Sequence, residues 1–339
     1  MRKVGRSIII FFIALVIIEV FFGAVFFIKD MRRPPTYLKR ALDYPYLYFS
    51  FKADPGNLVN EDGLYTDKSK KRDPAKYRII LMGGSVARSS RSRPDETIAY
   101  HIEKALCEKF GDIFEVVNAG MAAYVAEQEF IFTQLVLQKY QPDMIIGLDG
   151  YNDLISYESN RHTPFKIAPQ NWRDFMVIQD GREKKKLSYR FKVFFGNIFR
   201  ALGFIARSAQ NKSDYDYSGM TNDELEEVSR AYADVLNDTH DFCASKGIEY
   251  YSFLQPVRWY LASGAGHTRF GGIKELGELY NNFDKKVKNL PYGFSLTDIF
   301  DARPDVYEDD CHVNAEGNII FAKAIASSIS RRRSKYAVF

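Results

Sequence analysis

The run Tyr77-Arg78-Ile79-Ile80-Leu81-Met82-Gly83-Gly84-Ser85-Val86 decides how the rest of the chain is read. Tyr77–Met82 is a continuous apolar stretch, which predicts a strand buried on both faces. The two glycines after it allow a sharp turn and a close backbone approach. Ser85 then stands at the carboxyl edge of a parallel sheet, where open sheets bind ligands. A Gly-Gly-Ser turn is common in loops and names no chemistry by itself. Neither Gly-x-x-x-x-Gly-Lys-Ser nor Gly-x-Gly-x-x-Gly is present, so the turn does not read as a phosphate cradle.

Strands and helices alternate outward from this run. The pattern predicts a helix over Thr97–Phe110, a strand over Phe114–Val117, a helix over Ala126–Tyr140 and a strand over Asp143–Leu148. Residues 154–220 interrupt the rhythm with polar and aromatic sequence. It resumes at Thr221-Asn222-Asp223-Glu224, a capping box that opens a helix ended near Lys246 by Gly247. A strand over Ile248–Leu254, a helix over Lys274–Val287, a strand over Phe294–Ile299 and a closing helix over Asn314–Ser330 complete the series. Short apolar runs joined by helices predict an α/β fold with a parallel sheet of about five strands.

Three further segments carry polar groups at the ends of predicted elements. Gly120 closes the second strand and can offer its N–H without a side chain in the way. Asn152, in Asp149-Gly150-Tyr151-Asn152-Asp153, follows the third strand and can donate its amide; alone it reads equally as an Asx turn. Asp309 and His312 are three residues apart ahead of the closing helix. A carboxylate holding one ring nitrogen leaves the other to take a serine proton. The bland reading of that segment is acidic residues favouring a helix dipole.

In order and spacing, the four segments resemble the SGNH (GDSL-type) hydrolase family over roughly residues 60–330. The resemblance implies a three-layer α/β/α sandwich. It implies Ser85 as nucleophile, His312 as base and Asp309 as its orienting carboxylate. It implies an oxyanion hole from Ser85, Gly120 and Asn152, supported by Gly84 and Gly150. The family's Gly-Asp-Ser-Leu reads Gly83-Gly84-Ser85-Val86 here, so the aspartate and leucine are missing. This variant is similar to membrane-anchored members associated with bacterial surface polysaccharide. The activity so implied is serine ester hydrolysis or O-acyl transfer, acetyl in the first instance, on an extracytoplasmic carbohydrate, with no cofactor and no metal. Two other readings stay open: a membrane-associated lipase or lysophospholipase, and a catalytically silent glycan-binding or scaffold member.

The remaining sequence bounds the setting. Residues 8–28 form a 21-residue apolar run whose only ionisable residue is Glu19. That length can cross a bilayer, and it ends in Val-Phe-Phe-Ile-Lys-Asp rather than a small-residue cleavage site. Residues 1–30 are thus expected to be a transmembrane signal anchor in contact with the lipid bilayer. Residues 31–75 are expected to be a linker and lead-in, and 76–335 a hydrolase-like domain with an insertion at about 154–220. The flanking basic residues do not settle orientation. The resemblance places the body outside the cytoplasm, alongside membrane-bound polysaccharide machinery. Net charge is +4, of which +2 lies in residues 1–28, so the nearly balanced body argues against nucleic acid as a partner. Residues 187–207 read as an amphipathic helix, packed on the core or serving as a lid or in-plane membrane helix. Cys107, Cys243 and Cys311 match no disulfide framework or metal spacing. Trp172, Trp259 and Tyr260 could stack on sugars or fill core.

Overall fold

The computed structural model describes residues 13–21, 41–44, 46–89, 91–160, 215–260 and 270–336. The chain divides into two compact units. One comprises Met1–Arg40 and Asn171–Ser213. Within it, residues 13–21 are helical, and Ile13, Val16, Ile17, Ile18, Val20 and Phe21 are exposed. Among the described residues no helix is long and apolar enough to cross a membrane. Most of the expected 8–28 span lies outside them, as do the 187–207 helix, Trp172, His162 and His267.

The other unit, Ala41–Gln170 with Asp214–Phe339, holds the sheet. Its strands are β1 (Tyr77–Gly83), β2 (Phe114–Gly120), β3 (Met144–Asp149), β4 (Glu249–Leu254) and β5 (Gly293–Ser295). All neighbours are parallel, in the spatial order β2-β1-β3-β4-β5. The apolar runs read as strands because both sheet faces are covered: Ile79, Ile80, Leu81, Ile145 and Ile146 have no exposed surface. Arg78, inside the first run, is also buried. It pairs with Glu115 at 2.8 Å and donates to the carbonyls of Ser69, Lys70 and Tyr140. The charge is tolerated because its donors are satisfied.

Helices α1 (Ser85–Arg88), α2 (Ile98–Phe110), α3 (Ala126–Leu135), α4 (Tyr151–Asn160), α5 (Asn222–Ser245), α6 (Ile273–Asn289) and α7 (Ala315–Tyr336) connect and flank the strands. α2 packs with α7, and α5 packs with both α3 and α6, giving the two helical layers. The capping box forms as expected: the Thr221 hydroxyl accepts from Glu224 N–H, and the Glu224 carboxylate accepts from Thr221 N–H. Gly247 follows the helix with φ +70.

Three boundaries differ from the sequence expectation. The fifth strand is only Gly293–Ser295, because the Ser295 hydroxyl bonds Thr297 and turns the chain away. The helix expected over Ala126–Tyr140 breaks after Leu135 into a 3-10 turn over Leu137–Tyr140. The 154–220 insertion begins inside α4 rather than in a loop. Ahead of β1, strands Ala41–Tyr44 and Tyr48–Phe51 pair antiparallel, and Leu47 and Leu64 are fully buried. Tyr124 and Gln128 side chains donate to the Phe49 and Leu47 carbonyls, fixing this lead-in to the start of α3.

The chain leaves β1 for β2 on one side and later places β3 on the other. This reversal of strand order opens a crevice at the carboxyl ends of β1 and β3.

Candidate active site

Strand β1 ends at Gly83, whose φ of +144 and 2.4 Å clearance from Leu148 O to an added Cβ exclude any side chain. Gly84 then caps α1 with φ −75 and ψ −152, and Ser85 is the first helical residue. The passage from strand to helix within two residues lifts the Ser85 hydroxyl to the edge of the sheet. Its Oγ lies 2.7 Å from His312 Nε2.

His312 comes from the loop before α7. That loop is closed on itself by the Tyr307–Val313 bridge and by Glu308 N–H donating to His312 O. Asp309 Oδ1 accepts from the backbone N–H groups of Cys311 at 3.1 Å and His312 at 2.9 Å. Both Asp309 oxygens lie 2.9 Å from His312 Nδ1. Partial burial would raise the Asp309 carboxyl. The His312 ring and the two backbone donors outweigh it and hold the group well below the usual carboxylate range. An ionised carboxylate only accepts, so Nδ1 carries the ring proton and Nε2 accepts from the Ser85 hydroxyl. Ser85, His312 and Asp309 thus form a continuous hydrogen-bonded chain.

Asp309, Cys311 and His312 also lie close enough together to be weighed as metal ligands. With Nδ1 bonded to Asp309 and Nε2 accepting from Ser85, however, the ring has no lone pair left for an ion. Cys311 is buried, with Sγ 3.6 Å from Nδ1, on the far side of the ring from Ser85.

Asn152, on the first turn of α4, donates its side-chain amide to Tyr124 O at 2.7 Å. A Cβ at Gly84 would stand 2.4 Å from the same nitrogen. The amide therefore lies against the turn that carries Ser85. Gly150, with φ +120, lets the chain leave β3 toward this position; a Cβ there would strike Leu254 at 2.4 Å.

Gly120 ends β2, and its N–H donates to Asn118 Oδ1 at 3.1 Å. A Cβ at Gly120 would lie 2.1 Å from Arg88 N, so the glycine also serves the close approach of β2 to α1. The following turn carries further backbone N–H groups. Met121 N–H donates to Gly83 O and Tyr124 N–H to Met121 O, whereas Ala122 and Ala123 N–H have no acceptor among the described residues. Ala123 holds φ +67, a left-handed conformation uncommon without glycine and typical of functional turns.

Beneath this edge lies a chamber of buried acids. Gly147 on β3 leaves space between Asp149 Oδ2 and the Tyr250 hydroxyl, which an added Cβ would approach at 2.8 and 3.1 Å. Ser252 stands beside Gly147 in register, and Glu129 reaches in from α3. Asp153 accepts from Ala126 N–H at 2.8 Å and Gly150 N–H at 3.2 Å, tying the β2–α3 loop to the β3–α4 loop. Burial pushes Asp149 up to about 7 and Asp153 up to about 6, the latter held back by its two N–H donors. Burial likewise raises Glu129, which faces Asp149, so one of that pair holds a proton at neutral pH.

Sequence reasoning missed Arg91, Ala123 and the acid chamber. Arg91 sits in Arg88-Ser89-Ser90-Arg91-Ser92-Arg93, where no spacing distinguishes one arginine from the others. Its guanidinium bonds Asp309 Oδ2 at 2.7 Å and Glu308 Oε2 at 3.1 Å. Arg88 is instead buried, donating to the Gly63 and Gly120 carbonyls beneath Phe51. Trp259 and Tyr260 pack around Tyr280 as part of the core rather than as a sugar platform. His101 lies against Tyr100 on α2, and His240 stacks on Tyr292.

No family model and no curated protein matches the chain. Solved structures similar to it include an acetyl xylan esterase, 13% identical, covering 74% of this chain and 99% of its own, with a TM-score of 0.44. A psychrotrophic esterase from Pseudoalteromonas sp. is 9% identical over 76% of this chain and 100% of its own, at 0.42. A GDSL-like lipase from Bacteroides thetaiotaomicron is 10% identical over 76% of this chain and 89% of its own, at 0.41.

Proposed function

We propose that this chain is a serine esterase or O-acyltransferase that works through a covalent acyl-enzyme on Ser85. The observation that carries this reading is the chain Ser85 Oγ–His312 Nε2 at 2.7 Å and His312 Nδ1–Asp309 at 2.9 Å. It is built by segments 227 residues apart and set at the strand-order reversal. A hydroxyl in hydrogen-bond reach of a base that a third group orients is the arrangement that activates a nucleophile.

Ser85 Oγ attacks the ester carbonyl while its proton passes to His312 Nε2. Asp309 stabilises the imidazolium so formed. The oxyanion is held by the Asn152 amide, the Ser85 N–H at the start of α1 and the Ala123 N–H, which takes the role expected of Gly120. His312 returns the proton to the departing alkoxide. Water, or a sugar hydroxyl, then gives its proton to His312 and attacks the acyl-enzyme, and His312 passes that proton to Ser85 Oγ as the acyl–serine bond breaks. The acceptor that reaches the acyl-enzyme decides hydrolysis against transfer. The acyl group fitting the sequence resemblance is acetyl, on a carbohydrate outside the cytoplasm. Residues 8–28 would hold the enzyme at the bilayer, consistent with the exposed apolar side chains of residues 13–21.

Intact-mass analysis of the full chain after treatment with a fluorophosphonate tests the reading. A single adduct is expected on the wild type and none on Ser85→Ala. A folded wild type that stays unlabelled would overturn it.

A further inference from the structure

We infer that Arg91 is a positioning residue that clamps the orienting carboxylate and so keeps the His312 ring aimed at Ser85. The inference rests on the triad reading above and adds to it a residue outside all four motifs. Arg91 lies six residues beyond the nucleophile, on the segment that leaves α1. Its two terminal nitrogens reach Asp309 Oδ2 and Glu308 Oε2 on the loop that carries the base. One guanidinium therefore joins the nucleophile's segment to the base's loop.

Asp309 is left with a full set of donors. Oδ1 takes the Cys311 and His312 N–H groups, and Oδ2 takes Arg91. The imidazole Nδ1–H is shared between them. The carboxylate is thereby prevented from rotating, and with it the ring plane that aims Nε2 at Ser85.

The test is the His312 Nδ1–H proton resonance by NMR in the full chain, labelled at histidine, together with kcat and KM for p-nitrophenyl acetate, for wild type, Arg91→Ala and Arg91→Lys. The other four histidines serve as internal controls. In Arg91→Ala the His312 Nδ1–H signal should broaden or vanish by exchange with solvent, and kcat should fall roughly 3- to 10-fold with KM unchanged. Arg91→Lys keeps the charge without the paired nitrogens, so it should recover part of the signal and part of the loss. An unchanged His312 signal in Arg91→Ala overturns the inference, whatever the activity. A lost signal in a protein whose wild type turns over no ester and takes no fluorophosphonate would leave Arg91 in place and overturn the catalytic reading instead.

Discussion

Gly84→Ala isolates the oxyanion machinery from the triad. At φ −75 and ψ −152 the Gly84 backbone is open to alanine, so no backbone strain is introduced. The new methyl would meet Asn152 Nδ2 at 2.4 Å and Tyr124 O at 3.6 Å. The second contact is ordinary; the first must relax by about 1 Å to reach normal separation. The amide can retreat only by lengthening its 2.7 Å bond to Tyr124 O. A donor displaced by ~1 Å is largely lost to the oxyanion, which costs on the order of 10²–10³ in kcat, or about 3–4 kcal/mol. No His312 atom is among the three nearest this methyl, so the Ser85–His312 contact should survive. The assay is kcat for p-nitrophenyl acetate in wild type, Gly84→Ala, Asn152→Ala and the double variant. With Asn152 already truncated, the methyl has nothing to displace, so the double variant should match Asn152→Ala rather than add to it. A Gly84→Ala enzyme within threefold of wild type, or losses that simply add, would refute the placement of Asn152.

The other expectations concern the base, the glycine contact, the thiol and the buried acids. Asp309→Asn should cut kcat by roughly three to four orders, because an amide can donate to Nδ1 and favour the tautomer that cannot accept from Ser85; p-nitrophenyl acetate turnover measures it. Gly120→Ala should cost about 2 kcal/mol or more in urea unfolding and lower activity, since its methyl would press on the Arg88 backbone at 2.1 Å. Cys311→Ala should take up fluorophosphonate at close to the wild-type rate; loss of labelling would move the nucleophile to sulfur. Asp149, raised in the fold to about 7 against an unfolded value near 3.9, binds its proton more tightly when folded. Stability is then full below about pH 4 and falls as pH rises through 7. Asp149→Asn should gain roughly 1–3 kcal/mol over wild type in urea melts at pH 8 and show no gain near pH 4.

Much of this fold is written in short-range pattern. The runs at 77–82, 114–117 and 143–148 read as strands because a sheet covered on both sides imposes no polar alternation on them. Thr221 and Glu224 fix the start of α5 through contacts three residues apart, which sequence displays directly. The end of β5 and the break in α3 depend on where tertiary contacts stop, and no local signal marks them. At the candidate site, the meeting of Ser85, His312 and Asp309 was legible because each stands at a set distance from a predicted element. The close packing of Gly120 on Arg88 was not, because a bare donor and a close approach need the same residue type. Ala123 was invisible because alanine seldom adopts positive φ. Asp149, Glu129 and Asp153 look like ordinary loop and helix acids until the fold buries all three.

Nucleophile and base stand 227 residues apart, at opposite ends of the sheet's sequence. A ribosome adding roughly 5–20 residues each second needs about 10–45 s to pass from one to the other. Throughout that interval Ser85 exists without its proton acceptor and is an ordinary hydroxyl. On the proposed mechanism the hydroxyl gains its proton acceptor only after the loop before α7 has been made, so the order of synthesis itself withholds the reactivity of Ser85.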